Sequence, residues 1–291
     1  MTSIKLSNQI KTTFFIHITT LAIMADKHIV FITGVNSGIG YEAVKAYLGS
    51  STPYHIFVGC RTLEKSKEAI ASITKEVPSS KDTLEPIALE LESDESIDQA
   101  YEAIAAKVDR IDTLVNNAGA AFDTHNFAND ISNIRSIFNK AYDVNVTGTH
   151  VVTAKFVPLL IKSPSPRLIF ITSGLSTLTA HSKSFYPPWA PKPQAGWPKD
   201  NVAAHLGYKS SKTALNMVML NWHWLLHEDG VKTFCISPGF LATNLGGMQE
   251  KLKELGAGEP SVGGQFIRAV TEGERDEDAG KVVCRGGVQD W

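Results

Sequence analysis

The run His28–Thr33 (HIVFIT) passes directly into a turn that carries Gly34, Gly38 and Gly40. A short apolar run without polar alternation reads as a strand buried on both faces, as in a parallel sheet covered by helices. The glycines let the chain turn sharply and bring backbone close to a ligand. A helix that opens at such a turn presents unpaired N–H groups and a partial positive charge, which suits an anion such as pyrophosphate.

The same rhythm continues along the chain. Strands are predicted at His28–Thr33, His55–Gly59, Pro86–Leu91, Ile111–Asn116, Arg167–Thr172 and Val231–Ser237, with a seventh at Lys281–Cys284. Helices are predicted at Tyr41–Leu48, Leu63–Lys75, Ser93–Val108, Ile131–Val144, Val146–Ile161 and Tyr208–Leu226, the last ending near Gly230. Strand and helix in alternation imply an α/β fold, a doubly wound parallel sheet with helices on both faces. Ligands of such sheets sit at the carboxyl ends of the strands. No internal repeat or second domain is evident, so 24–291 is expected to be a single catalytic domain. Residues 1–23 admit two readings, a signal or transit peptide and a disordered extension. The second is the expectation, because the fold begins directly after Met24 and no small-residue cleavage site is clear.

Composition narrows the function. A net charge of −2 and the lack of a long basic stretch argue against nucleic acid as a partner. The apolar segment from Phe14 to Met24 is too short to span a bilayer, so no membrane partner is expected. Three cysteines, Cys60, Cys235 and Cys284, are far apart and form no Cys-x-x-Cys pair. That disfavours a zinc site or a disulfide framework and points to a reducing, cytoplasmic setting.

Between Thr177 and Gly207 lie Pro187, Pro188, Pro191, Pro193 and Pro198, with Tyr186, Trp189 and Trp197. Proline at this density forbids a regular helix or a central strand. This insertion, at about 177–207, is expected to be a long functional loop. Its aromatic residues suit either an apolar lid over substrate or surface packing. The glycine-rich stretch Phe240–Gly264 is expected to be a mobile closing element.

Tyr208 and Lys212 are four apart, hence on one face of their helix. A nearby ammonium favours the phenolate and lowers a tyrosine pKa, so that the tyrosine can exchange a proton with an alcohol or carbonyl. Alone, the spacing is common on solvated helix faces. The turn Asn116-Asn117-Ala118-Gly119, the run Asn145-Val146-Thr147-Gly148, Ser173 after the fifth strand, and Pro238-Gly239 with Thr243 after the sixth are each ordinary turn chemistry in isolation.

Their order is not ordinary. Thr-Gly-x-x-x-Gly-x-Gly at 33–40, Asn-Asn-Ala-Gly, Asn145, Ser173, Tyr208-x-x-x-Lys212 and Pro-Gly together resemble the short-chain dehydrogenase/reductase family over roughly Lys27 to Thr243. The resemblance implies a single Rossmann-type sheet and a nicotinamide cofactor. By the same resemblance Tyr208 is the proton donor and Lys212 its partner, which also holds the ribose. Ser173 orients the substrate oxygen, and Asn145 supports a water in a proton relay. It places Gly34, Asn36, Ser37, Gly38, Ile39, Gly40, Asn117, Ala118, Gly119, Pro238, Gly239 and Thr243 along the cofactor. The separation of Ser173 from Tyr208 by 35 positions resembles the insertion of carbonyl-reductase-like members.

At the end of the second strand Cys60 stands where NAD-preferring relatives carry Asp, and Arg61 follows. A guanidinium there suits the 2′-phosphate of NADP. Glu90 matches an acidic position near the adenine. The expectation is therefore NADPH-dependent reduction of a ketone or aldehyde, by a monomer or homodimer, with no metal. An alcohol dehydrogenase acting oxidatively is the alternative. A non-catalytic NADP(H)-sensing protein is a third reading, disfavoured by the presence of both Tyr208 and Lys212.

Overall fold

The computed structural model describes residues 27–79, 81–123, 131–183, 194–197 and 205–291. The expected extension at 1–23, and Tyr186, Trp189 and the five prolines of the insertion, lie outside these residues.

Among the described residues eight strands form one sheet: β1 His28–Thr33, β2 Tyr54–Cys60, β3 Thr83–Ala88, β4 Thr113–Asn116, β5 Arg167–Ile171, β6 Lys232–Ile236, β7 Val282–Cys284 and β8 Gly287–Gln289. Their order is β3-β2-β1-β4-β5-β6-β7-β8. All neighbours are parallel except β7 and β8, which form an antiparallel hairpin at one edge. The order reverses beside β1, and there the switch-point rule places the ligand crevice.

The helices are α1 Gly38–Leu48, α2 Leu63–Glu76, α3 Asp94–Ala105, α4 Ile134–Tyr142, α5 Thr149–Leu160, a short α6 Leu178–Ser182, α7 Leu206–Leu225, α8 Gln249–Glu254 and α9 Pro260–Thr271. Alternate residues of β1 face opposite ways, as a pleated strand requires. Ile29 and Phe31 join one core with Ile97 of α3, Phe156 of α5 and Leu215, Met219 and Trp222 of α7. Val30 and Ile32 join the other with Val44 and Tyr47 of α1, Ile73 of α2 and Ile267 and Val270 of α9. Gly264 of α9 lies so close to α1 that a Cβ would come within 2.6 Å of the backbone at Glu42 and Ala43.

The structure departs from the sequence expectations in several places. The third strand is Thr83–Ala88, three residues earlier than predicted, with Pro86 opposite Val58. Proline is tolerated because β3 is an edge strand. The two helices predicted around residue 145 form one continuous rod, in which α4 and α5 are joined by a π-helical turn at Asp143–Gly148. Strand β8 was not predicted; three residues flanked by glycine carry too little pattern. The insertion begins with α6 ahead of its prolines, and α7 starts at Leu206. The stretch Phe240–Gly264 is not all loop: it holds α8 and the start of α9.

Trp222 is buried and its indole donates to His150 Nδ1 at 3.0 Å, whereas Trp224 is exposed. Among the described residues no helix is long and apolar enough to cross a membrane.

Candidate active site

The glycine turn is built by what its glycines exclude. Gly34 has φ +72°, and a Cβ there would lie 2.7 Å from Ala118 Cα. A Cβ on Gly40 would lie 2.4 Å from Asn117 Nδ2 and 2.6 Å from the Gly34 carbonyl oxygen. Asn117 accounts for the crowding: its amide donates to the Thr33 and Gly34 carbonyls at 2.8 and 3.0 Å. Thr33 Oγ1 accepts from the Asn117 and Ala118 N–H groups at 3.1 and 2.9 Å. The Asn-Asn-Ala-Gly turn thus braces the glycine turn. Asn116 points the other way and donates to Thr153 of α5 at 3.0 Å.

Asn36 and Ser37 are exposed at the mouth of α1, and Ile39 is half-buried. Ser37 takes the N-cap position of α1 but makes no capping bond with its side chain. The first-turn amides therefore keep their capacity for another acceptor. Gly38, at φ +63°, lies under Thr243, whose Cβ and Cγ2 are 3.5 Å from where a side chain on Gly38 would start. Pro238 is buried, and Gly239 follows at φ +108°. These residues lie in the segments that follow the carboxyl ends of β1, β4 and β6. Farther out, beyond β2, the exposed Arg61 pairs through Nε with Glu90 Oε2 at 2.9 Å.

The second group converges where β4, β5 and α7 meet. A Cβ on Gly119 would lie 3.1 Å from both Asn145 Oδ1 and Lys212 Nζ. Asn145, fully buried in the π-helical turn, accepts from the Ala120 N–H and donates to the Ala120 carbonyl, each at 2.8 Å. Its other amide hydrogen goes to Ser211 Oγ on α7 at 3.0 Å. Lys212 donates to the Ile171 carbonyl at the end of β5 at 2.8 Å. Burial holds its ammonium down from 10.5 to about 8.

Tyr208 stands one helical turn before Lys212, whose Nζ is 6.0 Å from the centre of the tyrosine ring. Burial raises the Tyr208 pKa, a hydrogen bond with the Ser173 side chain draws it partly back, and the charge of Asp123 raises it further. This differs from the simple pair expected from the sequence. The ammonium is turned toward a β5 carbonyl, and the balance at Tyr208 is set by burial, Ser173 and Asp123. Ser173 follows β5, and its Oγ accepts from the Leu175 N–H at 3.1 Å.

Asp123 carries a role that the sequence did not suggest. Its Oδ2 accepts from the Tyr208 N–H at 3.2 Å at the start of α7, where an anion complements the helix end. Among the described residues its buried Oδ1 has no partner. No four-residue spacing or turn motif marks it. Among the described residues no group of His, Cys, Asp and Glu is arranged to hold a metal ion.

Known proteins resemble the chain over most of its length. Residues 28–187 match a family model for short chain dehydrogenases. The chain is 47% identical over 269 residues to the short-chain dehydrogenase/reductase tropE of Talaromyces stipitatus, covering 91% of this chain and 98% of that one. It is 42% identical over 275 residues to the short-chain dehydrogenase/reductase eupG of a Phoma species, at 91% and 98% coverage. The NADPH-bound carbonyl reductase from chicken fatty liver shares the fold with a TM-score of 0.69 at 21% identity, covering 91% of this chain and 99% of that one. The carbonyl reductase Sniffer of D. melanogaster does so with 0.68 at 20% identity, covering 91% and 100%. The chain is an oxidoreductase of the short-chain dehydrogenase/reductase family, which works with NAD(H) or NADP(H) on small molecules.

Proposed function

We propose that this enzyme uses NADPH to reduce the carbonyl of a ketone or aldehyde. The observation that carries the reading is the convergence at Gly119. Asn145 Oδ1 and Lys212 Nζ both lie 3.1 Å from one point there, one turn of α7 from Tyr208, whose side chain meets Ser173.

The site accommodates a dinucleotide: Gly34 and Gly40 keep side chains out of the turn at α1, and the amides of Ser37, Gly38 and Ile39 suit a pyrophosphate. Lys212 and Tyr208 would hold the nicotinamide ribose, with Pro238, Gly239 and Thr243 beside the nicotinamide, Asn117, Ala118 and Gly119 along the adenosine side and Glu90 near the adenine. When bound, the cofactor supplies the hydride. The protein does the rest. Ser173 orients the substrate oxygen, and Tyr208, kept protonated by its burial, gives its phenolic proton to that oxygen. Lys212, with its low pKa, and Asn145, locked between β4 and α7, hold the path by which Tyr208 regains a proton. The insertion at 177–207, in a single domain over 24–291, shapes the substrate side. The three unpaired cysteines fit a cytoplasmic enzyme.

Arg61 supports NADP, being an exposed guanidinium at the end of β2 where a 2′-phosphate would lie. The same ion pair favours one second reading. Glu90 occupies the guanidinium and could itself accept from a 2′-hydroxyl, as an NAD-dependent enzyme oxidising an alcohol requires. Titration with NADPH and NADH, followed by cofactor fluorescence in wild type and Arg61→Ala, separates the two. Tighter NADPH binding that weakens selectively in Arg61→Ala is expected, and equal or tighter NADH binding overturns the NADP assignment. Tyr208→Phe should retain NADPH binding and lose at least about a hundredfold in turnover with a panel of aldehydes and ketones. Retained turnover would remove Tyr208 from the reaction. Wild type that binds NADPH and turns over nothing would instead favour a sensing protein.

A further inference from the structure

The loop after β5 is tied down from two sides by groups that no step above uses. The Ser173 carbonyl accepts from the Ser176 hydroxyl at 2.7 Å and from the Gln289 side-chain amide at 3.2 Å. Ser176 Oγ accepts from Asn216 Nδ2 at 3.0 Å. Asn216 Oδ1 lies 2.7 Å from Thr172 Oγ1. A hydroxyl has one hydrogen, and among its contacts Thr172 makes this one shortest, so Thr172 donates to Asn216. Thr172, Ser176 and Asn216 are each no more than 3% exposed. The network is therefore dry, and every bond in it is costly to leave unmade.

Its geometry has a direction. Asn216 is the next residue on the four-residue spacing Tyr208, Lys212, Asn216, so it projects from the same face of α7 as the proton donor. Through Ser176 it holds the carbonyl of Ser173 to that face. Gln289, on the edge strand β8, reaches the same carbonyl from the other side. Beyond it, a main-chain oxygen of Trp291 accepts from the Thr177 hydroxyl at 3.0 Å and the Thr179 N–H at 2.5 Å, which extends the clamp along the loop.

We propose that Asn216 and Gln289 are positioning residues for Ser173: Asn216 sets its place relative to Tyr208 on α7, and Gln289 locks the loop from the last strand. The inference rests on the reading of Ser173 as the group that orients the substrate oxygen.

The test compares wild type, Gln289→Ala, Asn216→Leu, Ser173→Ala and the double variant Ser173→Ala/Gln289→Ala. Gln289 is half-buried at the sheet edge, so its variant keeps the test alive if Asn216→Leu fails to fold. With NADPH and para-nitrobenzaldehyde as probe, Gln289→Ala should lose about tenfold in kcat, with KM and the NADPH dissociation constant little changed. Introduced into Ser173→Ala, the same substitution should change kcat by less than about twofold, because its effect passes through Ser173. Hydrogen exchange of the amides of residues 174–177 in cofactor-free protein should quicken in Gln289→Ala and nowhere else.

Equal losses in both backgrounds, or unchanged exchange in this segment, would overturn the proposal whatever carbonyl is reduced. Ser173→Ala that turns over like wild type would instead overturn the role of Ser173, a result distinct from the first.

Discussion

Lys212→Met should make the cofactor-free protein more stable while abolishing its turnover. Lys212 is 4% exposed, and burial depresses its ammonium from the usual 10.5 to about 8. A depression of that size corresponds to about 3 kcal/mol of unfavourable burial. Below pH 8 the folded and unfolded chains both carry the proton, so the whole cost is present at pH 7. Between pH 8 and 10.5 the folded protein has released a proton that the unfolded chain still holds, and stability rises with pH. Above 10.5 the cost is gone.

Methionine keeps the length of the side chain without the charge, but it leaves the Ile171 carbonyl without the bond now made at 2.8 Å. That loss costs about 1–2 kcal/mol. The net gain at pH 7 is about 1–2 kcal/mol, or roughly 2–4 °C in Tm for a domain of this size. Thermal unfolding of both proteins without cofactor, at pH 7 and again near the upper end of the lysine window, measures it. The advantage of the variant should shrink as pH rises. A variant less stable than wild type at pH 7, or an advantage independent of pH, would refute the claim that desolvation sets the state of Lys212. The gain would mark this lysine as kept for function against stability.

Gly40→Ala should disrupt the cradle, because its Cβ would come within 2.6 Å of the Asn117 amide and the Gly34 carbonyl. The expected cost is about 2–3 kcal/mol in unfolding experiments, with weaker binding of the nicotinamide cofactor, and a neutral Ala variant would contradict the close approach. Asp123→Asn removes a charge that raises the Tyr208 pKa while keeping an acceptor for the Tyr208 N–H. The pH at which Tyr208 ionises should fall, so the alkaline limb of the kcat profile for carbonyl reduction moves to lower pH. A profile that moves upward or not at all would show that Asp123 acts on the helix end alone.

How much of this architecture the sequence could reveal depended on how local the forces are. The buried runs HIVFIT and RLIFIT are strands because both faces are covered by helices, and this leaves an uninterrupted apolar pattern in the chain itself. The glycine turn was legible for a similar reason. Gly34 needs a positive φ and Gly40 a missing side chain, and both demands are written into the residue type. By contrast, the third strand slipped by three residues because Pro86 reads as a boundary. Only the position of β3 at the sheet edge makes a proline acceptable within it. The π-helical turn that presents Asn145 is built of Asp143, Val144, Asn145, Val146, Thr147 and Gly148, weak helix formers that read as a break between two helices, so the continuity of the rod is not legible in the chain.

The least legible part is the most distributed. Tyr208 and Lys212 announce themselves by spacing, and Asn216 continues that spacing, so its face was within reach of the same argument. The electrostatics of Tyr208 were not, since they depend on burial and on Asp123, which lies 85 positions away in the chain. Gln289 meets the Ser173 carbonyl across 116 positions, from a three-residue strand with no periodic signature. Such a contact costs loop-closure entropy and leaves no trace in local pattern. It forms because the antiparallel β7–β8 hairpin, anchored by the buried Val282 and Val283, folds β8 back along β7 and brings Gln289 beside the loop after β5. The residues proposed to do the chemistry are thus readable one by one. The bonds that hold them at working distance arise only once the last strand has closed the sheet, and variants of β8 are where that distinction becomes measurable.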